Sequence, residues 1–175
     1  VMLKISLIDI GGKEKPITNV MQEIMPTSVQ PYLSVLPNIE KMQSQKGGFL
    51  RLRIVDAGQK TLNENIYWYP DSTGNYTGLQ QMEKANVSIS ARKVAANEIE
   101  VKITNPEGNP LAFFNRISLV NPSTGKRLLP VFFSDNYVSV LPGQTRTVRM
   151  EYNGKESGQV TVEGWNVKKQ TIEVE

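Results

Sequence analysis

The chain contains neither cysteine nor histidine among its 175 residues. Without cysteine there is no disulfide framework, no thiolate zinc site and no thiol nucleophile. Without histidine, neither a Ser-His-Asp or Cys-His arrangement nor an imidazole metal site can be built. The remaining possibilities are carboxylate chemistry, lysine chemistry, oxygen-ligand calcium binding, or no chemistry. These residue types imply no cofactor.

Long apolar runs and clustered charge are also lacking. No run approaches the roughly 20 residues that would span a bilayer. The opening VMLKISLID is broken by Lys4, Ser6 and Asp9, so it has no signal-peptide core, and we expect any export signal to lie outside this segment. The 20 Lys and Arg are scattered among 17 acidic residues, whereas nucleic-acid binding needs a basic stripe. We expect neither a nucleic acid nor a membrane as partner.

Strand periodicity is the strongest feature that the sequence does have. In residues 98–104, Ile99, Val101 and Ile103 alternate with charged and polar residues, which is the pattern of a strand with one buried and one wet face. The same alternation recurs at residues 50–54, 148–152 and 172–174. No window of a dozen residues has convincing helical spacing. The chain is therefore predicted to be all-β, with two tandem immunoglobulin-like β-sandwiches.

Turn residues divide these strands at short intervals, which is typical of an antiparallel sandwich. Clusters of Gly, Asn, Asp and Pro, which tolerate positive φ or pre-set a turn, occur at residues 105–110, at 121–125 and at Asn153-Gly154. Pro130 interrupts the apolar run LLPVFF. Because proline cannot donate to a strand ladder, we predict an edge strand or a bulge there.

Strand counts predict the domain layout. Alternation lapses over residues 70–85, our predicted connector, which has a helical turn around residues 79–82. Residues 86–175 contain seven or eight short strands, the content of one immunoglobulin-like sandwich. Residues 1–69 offer only five predicted strands, so we expect a first sandwich that lacks its opening strands. Those five are 1–9, 17–24, 29–35, 49–55 and 64–69.

The carboxylates raise the question of a glycosidase-like acid and nucleophile pair, which works at roughly 5 Å in retaining and about 6.5 to 9.5 Å in inverting enzymes. Glu98 and Glu100 lie two apart on a strand and face the same side, which is its polar side. Solvated strand charge explains them. Glu163 has the aromatic Trp165 close by, but a sandwich rim is the more ordinary setting. No catalytic residue is assigned.

Two segments are candidates for binding. Ser134-Asp135-Asn136-Tyr137 gathers oxygens that calcium would accept. A turn in which Asp135 and Asn136 bind nearby backbone N–H groups explains the same residues more simply, so no metal site is assigned. Trp165 is consistent with core packing or with stacking on a sugar ring. The candidate substrate contacts are Asp135, Asn136, Tyr137 and Trp165.

Three segments together carry a family resemblance. They are FLRLRIVDAGQKTLNENIYWYP at residues 49–70, NYTGLQQM at 75–82, and a third, from residue 111, that contains SDNY, LPG and EGWNV. They resemble the C-terminal region of glycoside hydrolase family 2 enzymes of the β-mannosidase and exo-β-glucosaminidase branch. In that family a catalytic (β/α) barrel is followed by two immunoglobulin-like sandwiches. The chain resembles those two domains over essentially its whole length.

The resemblance implies a function without catalysis in this segment. The family's two catalytic glutamates belong to the barrel, which needs on the order of 250 residues, so none is carried over. We expect the non-catalytic C-terminal region of an exported, bacterial-type β-glycosidase, periplasmic or extracellular. Its partner would be the catalytic barrel of the same parent polypeptide, and a glycan is a possible ligand. The alternative is a free-standing carbohydrate-binding or adhesion module that exposes an aromatic platform.

Overall fold

The computed structural model describes residues 1–21, 23, 25–29, 31, 34–43, 46–153 and 158–175. These residues form twelve β-strands and two short helices, and all of the paired strands are antiparallel. The predicted all-β class is therefore confirmed. Two units divide the chain, the first over Val1–Met82 and the second over Glu83–Glu175. No helix in the described part is long and apolar enough to cross a membrane.

The first unit is built on one four-stranded sheet of order β2-β1-β3-β4. Its strands are β1 (Met2–Ile8), β2 (Glu14–Met21), β3 (Gly48–Val55) and β4 (Thr61–Tyr69), and its helices are α1 (Leu36–Gln43) and α2 (Thr77–Gln80). Alternate apolar residues of β1 and β3 point to one face of the sheet. There Ile5 and Leu50 pack with Ile39 of α1 in a buried cluster, so the helix covers that face.

The predicted strands of the first unit are only partly confirmed. Those at 1–9, 49–55 and 64–69 are present, and the one at 17–24 is β2, with residues 22 and 24 lying outside the described part. The strand predicted at 29–35 is wrong for residues 29, 31, 34 and 35, which belong to no strand; residues 30, 32 and 33 lie outside the described part. Helix α1 was missed because eight residues are too few to show helical periodicity.

A buried ion-pair triad lies on the other face of this sheet. Arg51, only 3% exposed, donates from Nη1 to Glu14 Oε2 at 2.9 Å and from Nε and Nη2 to Glu64 Oε2 at 3.0 and 2.6 Å. The alternation at residues 50–54 is confirmed, but the Arg51 side is buried instead of wet. Burial lowers the pKa of the neighbouring Arg53, and the positive charge of Arg51 lowers it further.

The second unit is a sandwich of two four-stranded sheets. Its strands are β5 (Ser88–Ala95), β6 (Glu98–Asn105), β7 (Ala112–Val120), β8 (Val131–Phe133), β9 (Val138–Val140), β10 (Gln144–Tyr152), β11 (Gln159–Glu163) and β12 (Gln170–Ile172). The sheet orders are β5-β6-β10-β8 and β12-β11-β7-β9. The prediction of seven or eight strands after residue 86 is confirmed. Pro130 directly precedes β8, which is an edge strand as predicted.

Alternate residues of both sheets meet in the core of this sandwich. The predicted inward residues of β6 and β10 are buried and pack against those of β7 and β11; they include Ile99, Val101, Ile103, Val148, Met150, Ile117, Leu119, Val160 and Val162. Each buried aliphatic side chain stabilises the fold by roughly 1.5–3 kcal/mol. The predicted turn at Asn153-Gly154 falls on Gly154, which lies outside the described residues.

The triad of the first unit gives a stability prediction. We expect Arg51→Ala to destabilise the unit by about 3–5 kcal/mol, because it leaves the Glu64 carboxylate buried without its cation. Lys4→Ala, which removes an exposed hydrogen bond to Gln59, should cost under about 1 kcal/mol. In a Trp165→Phe background, urea unfolding followed by Trp68 fluorescence measures both. A loss below about 1 kcal/mol for Arg51→Ala would contradict the role given to the triad.

Candidate functional site

Three aromatic side chains of the second unit are exposed near the start of β7. Phe114, Tyr137 and Trp165 are 41%, 47% and 48% exposed, and we call them the aromatic end. The rings of Phe114 and Tyr137 are in contact, with centroids 4.9 Å apart and planes tilted by 38°. The backbone N–H of Trp165 donates to the carbonyl of Phe113 at 2.9 Å. The loop before β9 and the corner after β11 therefore meet at the same point of β7.

A β-bulge exposes Phe114. Between the pairs Ala112–Val140 and Asn115–Val138, β7 has one residue more than β9, and such an extra residue bends the strand and re-aims a side chain. Phe114 takes φ 55°, in the left-handed region that costs an ordinary residue roughly 1–2 kcal/mol. Phe113 stays in the core at 2% exposure, whereas Phe114 faces outward.

The Asn136 side chain holds Tyr137 in place. Its Oδ1 accepts the backbone N–H of Ile117 and of Tyr137, each at 2.8 Å, and its Nδ2 donates to the Ile117 carbonyl at 3.0 Å. The side chain thus pairs with β7 as a strand residue would. Tyr137 itself has φ 56°. Asp135 Oδ1 accepts the Asn136 N–H at 2.8 Å, so the turn predicted for Asp135 and Asn136 is confirmed.

Asn166 fixes the corner that carries Trp165. It is 1% exposed, and its Oδ1 accepts the Phe113 N–H at 2.9 Å. Its Nδ2 donates to the carbonyls of Leu111 and Glu83, both at 2.8 Å. The Phe113 and Leu111 groups are buried and would otherwise lack partners at a cost of about 1–3 kcal/mol each, whereas the bond to Glu83 is part-buried. One amide side chain therefore joins three segments of the unit.

The corner also requires glycine at position 164. A Cβ there would lie 2.5 Å from Asn115 Oδ1 and 2.9 Å from the Phe113 carbonyl oxygen, closer than packed atoms allow. Asn115 is fully buried, and its Nδ2 donates to the carbonyls of Ala112 and Val138 at 2.9 Å each. The Asn115 amide therefore holds the bulge, and its oxygen lies where a side chain at position 164 would clash.

Charged groups flank the aromatic end. Arg116 and Glu163 are directly opposite on β7 and β11 and form an ion pair, with side chains that are 42% and 40% exposed. Asp135 is exposed two residues before Tyr137. The aromatic surface thus has a polar rim, as ligand sites commonly do.

Glu98 and Glu100, which the sequence raised as an acid and nucleophile pair, are tied to arginines. They lie on the outer face of β6 as predicted, but Glu100 is only 6% exposed instead of solvated. Arg92 donates to Glu100 Oε1 from Nε at 3.0 Å and from Nη2 at 2.8 Å. The hydrogen bond from Arg92 lowers the pKa of Glu100, with Lys102 and Arg149 adding to the effect. A carboxylate held in this way is a poor proton donor.

An open cleft of about 420 Å³ lies between Glu98, Phe132 and Glu151. Glu98 and Glu151 face each other across β6 and β10. Arg149 Nη1 is 3.5 Å from Glu98 Oε1, and Glu151 is exposed. A glycosidase acid needs an apolar, enclosed setting that keeps it protonated, and this cleft does not supply one. Within the described part, no group of three Asp, Glu, His or Cys is placed to hold a metal ion.

The structure brings the sequence candidates together. Asp135, Asn136, Tyr137 and Trp165 all lie at the aromatic end. Both polar atoms of the Asn136 side chain, Oδ1 and Nδ2, are already bound to backbone groups. Phe114 was missed. Its signal was present, since two consecutive phenylalanines in an alternating strand cannot both face the core.

Comparison with known proteins shows that the chain is similar to part of several exo-β-D-glucosaminidases. Residues 65–167 match the family described as the exo-β-D-glucosaminidase Ig-fold domain. An exo-β-D-glucosaminidase of the fungus Arthroderma benhamiae is 27% identical over 186 residues, covering 96% of the chain. One of the bacterium Streptomyces avermitilis is 32% identical over 149 residues, covering 70% of the chain. A fungal protein matches nearly the whole chain, so the expected restriction to bacterial-type enzymes is not supported.

The solved structures show the same fold. The exo-chitosanase CsxA of Amycolatopsis orientalis superposes on 98% of the chain with a TM-score of 0.76 and 22% identity. The chain spans only 21% and 16% of the two curated relatives, and 23% of the CsxA chain.

The Asn166 network gives the second prediction. We expect Asn166→Ala to destabilise the second unit by about 3 kcal/mol, because two buried backbone groups, the Phe113 N–H and the Leu111 carbonyl, lose their partners. Asn109→Ala, which removes bonds at a more exposed position, should cost about 1 kcal/mol. Both are measured by urea unfolding in a Trp68→Phe background with Trp165 as reporter. Equal losses for the two variants would refute the assignment.

The Arg92–Glu100 pair gives a pH prediction. Because the folded pKa of Glu100 is lowered, its contribution is complete above the unfolded value of about 4.3 and is lost as pH falls through the folded pKa. We expect Glu100→Gln to be less stable than wild type at pH 7, with the difference shrinking below about pH 4. We expect Arg92→Met to show the same loss of stability at pH 7 and the same decrease of that loss below about pH 4. The check is urea unfolding from pH 7 to pH 3, and a difference that stays constant would rule the pairing out.

Proposed function

The chain belongs to the exo-β-D-glucosaminidase Ig-fold domain family, and we propose that it is the non-catalytic C-terminal β-sandwich region of a family 2 glycoside hydrolase. The resemblance stated from the sequence is confirmed at the level of this family. The proposed parent polypeptide removes glucosamine residues from chain ends of its glycan, and the present segment supports the catalytic barrel without taking part in bond cleavage.

The proposal depends mainly on the family match, which covers most of the eight-stranded sandwich. The carboxylates considered as catalytic groups in that sandwich form ion pairs with arginines. Glu100 is bound by Arg92 and Glu163 by Arg116, so neither is available as an acid or a nucleophile. The chain also spans about a fifth of its relatives' length, which supports a division of labour with other domains.

We propose the edge of the second unit as the surface that contacts the barrel. The edge strand β8 leaves unpaired backbone groups that proteins usually cover. Leu129 and Phe132 beside it are 75% and 69% exposed, which is costly for large apolar side chains in water. Burying both against a neighbouring domain would stabilise the pair of domains by roughly 2–4 kcal/mol.

The proposed layout has a truncated immunoglobulin-like unit at residues 1–69, whose described part forms one sheet, a connector at 70–85 and a complete sandwich at 86–175. The boundary between the two compact units, Met82/Glu83, lies inside that connector. We further propose that the parent polypeptide is exported, since its glycan substrate would be an extracellular polymer.

The test uses the longer polypeptide and a version of it without residues 86–175. We expect the 175-residue chain alone to hydrolyse no p-nitrophenyl β-D-glucosaminide and the longer polypeptide to hydrolyse it. Removing residues 86–175 should lower the melting temperature and the turnover together, because an apolar face of the barrel is uncovered. Unaltered melting with lost turnover would contradict the scaffold role.

The second candidate function is a free-standing glycan-binding module, which the exposed rings of Phe114, Tyr137 and Trp165 favour. The two candidates differ in the longer polypeptide. A catalytic barrel upstream of Val1 supports the scaffold, whereas its absence together with glycan binding supports the module.

A further inference from the structure

We propose that the aromatic end, formed by Phe114, Tyr137 and Trp165, binds a pyranose ring of an amine-bearing glycan by stacking. The choice of an amino sugar rests on the proposed function, whereas the stacking surface rests on the geometry alone. The site lies at the start of β7, and its Tyr137 also lines a small pocket with Leu129, next to the β8 edge proposed to contact the barrel.

The size of the aromatic surface matches a small ligand. An aromatic side chain has about 150–250 Å² of surface, so exposures of 41%, 47% and 48% leave about 200–350 Å² in total. A specific interface between proteins buries about 800 Å² per partner. The aromatic end alone is therefore too small to dock a domain, and it suits the flat C–H face of one or two sugar rings.

The backbone exposes these rings at a cost. Phe114 and Tyr137 both occupy the left-handed region, with φ of 55° and 56°, where Gly or Asn would be less strained. Neither ring fills the core, since Phe113 already does so at 2% exposure. Strain that packing does not require is typical of functional positions. Here the strained backbone holds the rings of Phe114 and Tyr137 in contact, with centroids 4.9 Å apart.

The rings are also held rigidly before any ligand arrives. Asn136 fixes the backbone of Tyr137, Asn115 fixes the bulge at Phe114, and Asn166 fixes the corner of Trp165. Preorganised side chains lose less conformational entropy on binding. The phenol of Tyr137 adds a hydrogen-bonding group at the edge of the surface.

The charged residues around the aromatic end favour a ligand that carries an amine. Asp135 accepts one hydrogen bond through Oδ1, and within the described part its Oδ2 has no protein partner. A carboxylate beside exposed rings attracts an ammonium group, and the ring faces attract it as well. Glu163, the second carboxylate, is already paired with Arg116. Asp135 is therefore the group that distinguishes an amino sugar from its neutral counterpart.

The experiment titrates the full 175-residue chain with sugars in a Trp68→Phe background, where Trp165 is the sole indole. The probes are a β-1,4-linked glucosamine trimer and cellotriose, its neutral isostere. We expect a saturable change in Trp165 fluorescence, with the glucosamine trimer bound more tightly. Phe114→Asn and Tyr137→Asn should each weaken binding about tenfold without lowering the melting temperature, because Asn tolerates left-handed φ.

Two further variants complete the design. Phe132→Asn removes an exposed ring from β8, outside the site, and should leave binding unchanged. Asp135→Asn should abolish the preference for the glucosamine trimer while cellotriose still binds. The proposal is overturned if neither trimer gives a saturable response, or if Phe114→Asn and Tyr137→Asn bind like wild type. Equal affinity for the two trimers in the unmutated site overturns the amino-sugar assignment.

These outcomes are independent of the scaffold test. A longer polypeptide without a barrel would refute the proposed function and leave the titration unaffected. If the longer polypeptide has a barrel and full hydrolytic activity, but the 175-residue chain binds neither trimer, only the present inference is refuted.

Discussion

Asparagine side chains that bind backbone groups determine the shape of the second unit where its strands end. At the start of β7 the backbone leaves regular pairing, and buried N–H and C=O groups cannot be left without partners. Asn115, Asn136 and Asn166 supply those partners. The amides of Asn136 and Asn166 both donate and accept, and that of Asn115 donates twice. A single side chain therefore joins two or three segments. The bulge, the loop before β9 and the corner after β11 all depend on these bonds.

In this arrangement the residues that stabilise the fold differ from those that we propose to bind a ligand. Two carboxylates considered as catalytic groups from the sequence are instead structural: Glu100 and Glu163 are bound by Arg92 and Arg116. The rings that the amides position remain exposed and are not needed by the core. The second unit is thus a rigid support with one aromatic surface, which suits a domain that assists a catalytic partner.

The sequence predicted what depends on local pattern. Alternation in residues 98–104 and 148–152 placed β6 and β10 and their inward residues, since burial follows directly from a period of two. Features that depend on tertiary contacts were not visible. Nothing local distinguishes buried Arg51 from an exposed arginine, or identifies Asn166 as the link between Glu83, Leu111 and Phe113. Phe114 needed a bulge that only pairing with β9 reveals, and α1 was too short for its period to show.

Amide hydrogen exchange at two residues tests the central claim most directly. The N–H groups of Phe113 and Ile117 donate to the Asn166 and Asn136 side chains at 2.9 and 2.8 Å. If these amides hold the end of the sandwich rigid, both N–H groups should exchange as slowly as the core ladder of β6 and β10. Exchange as fast as that of the exposed turn at residues 121–125 would contradict the account.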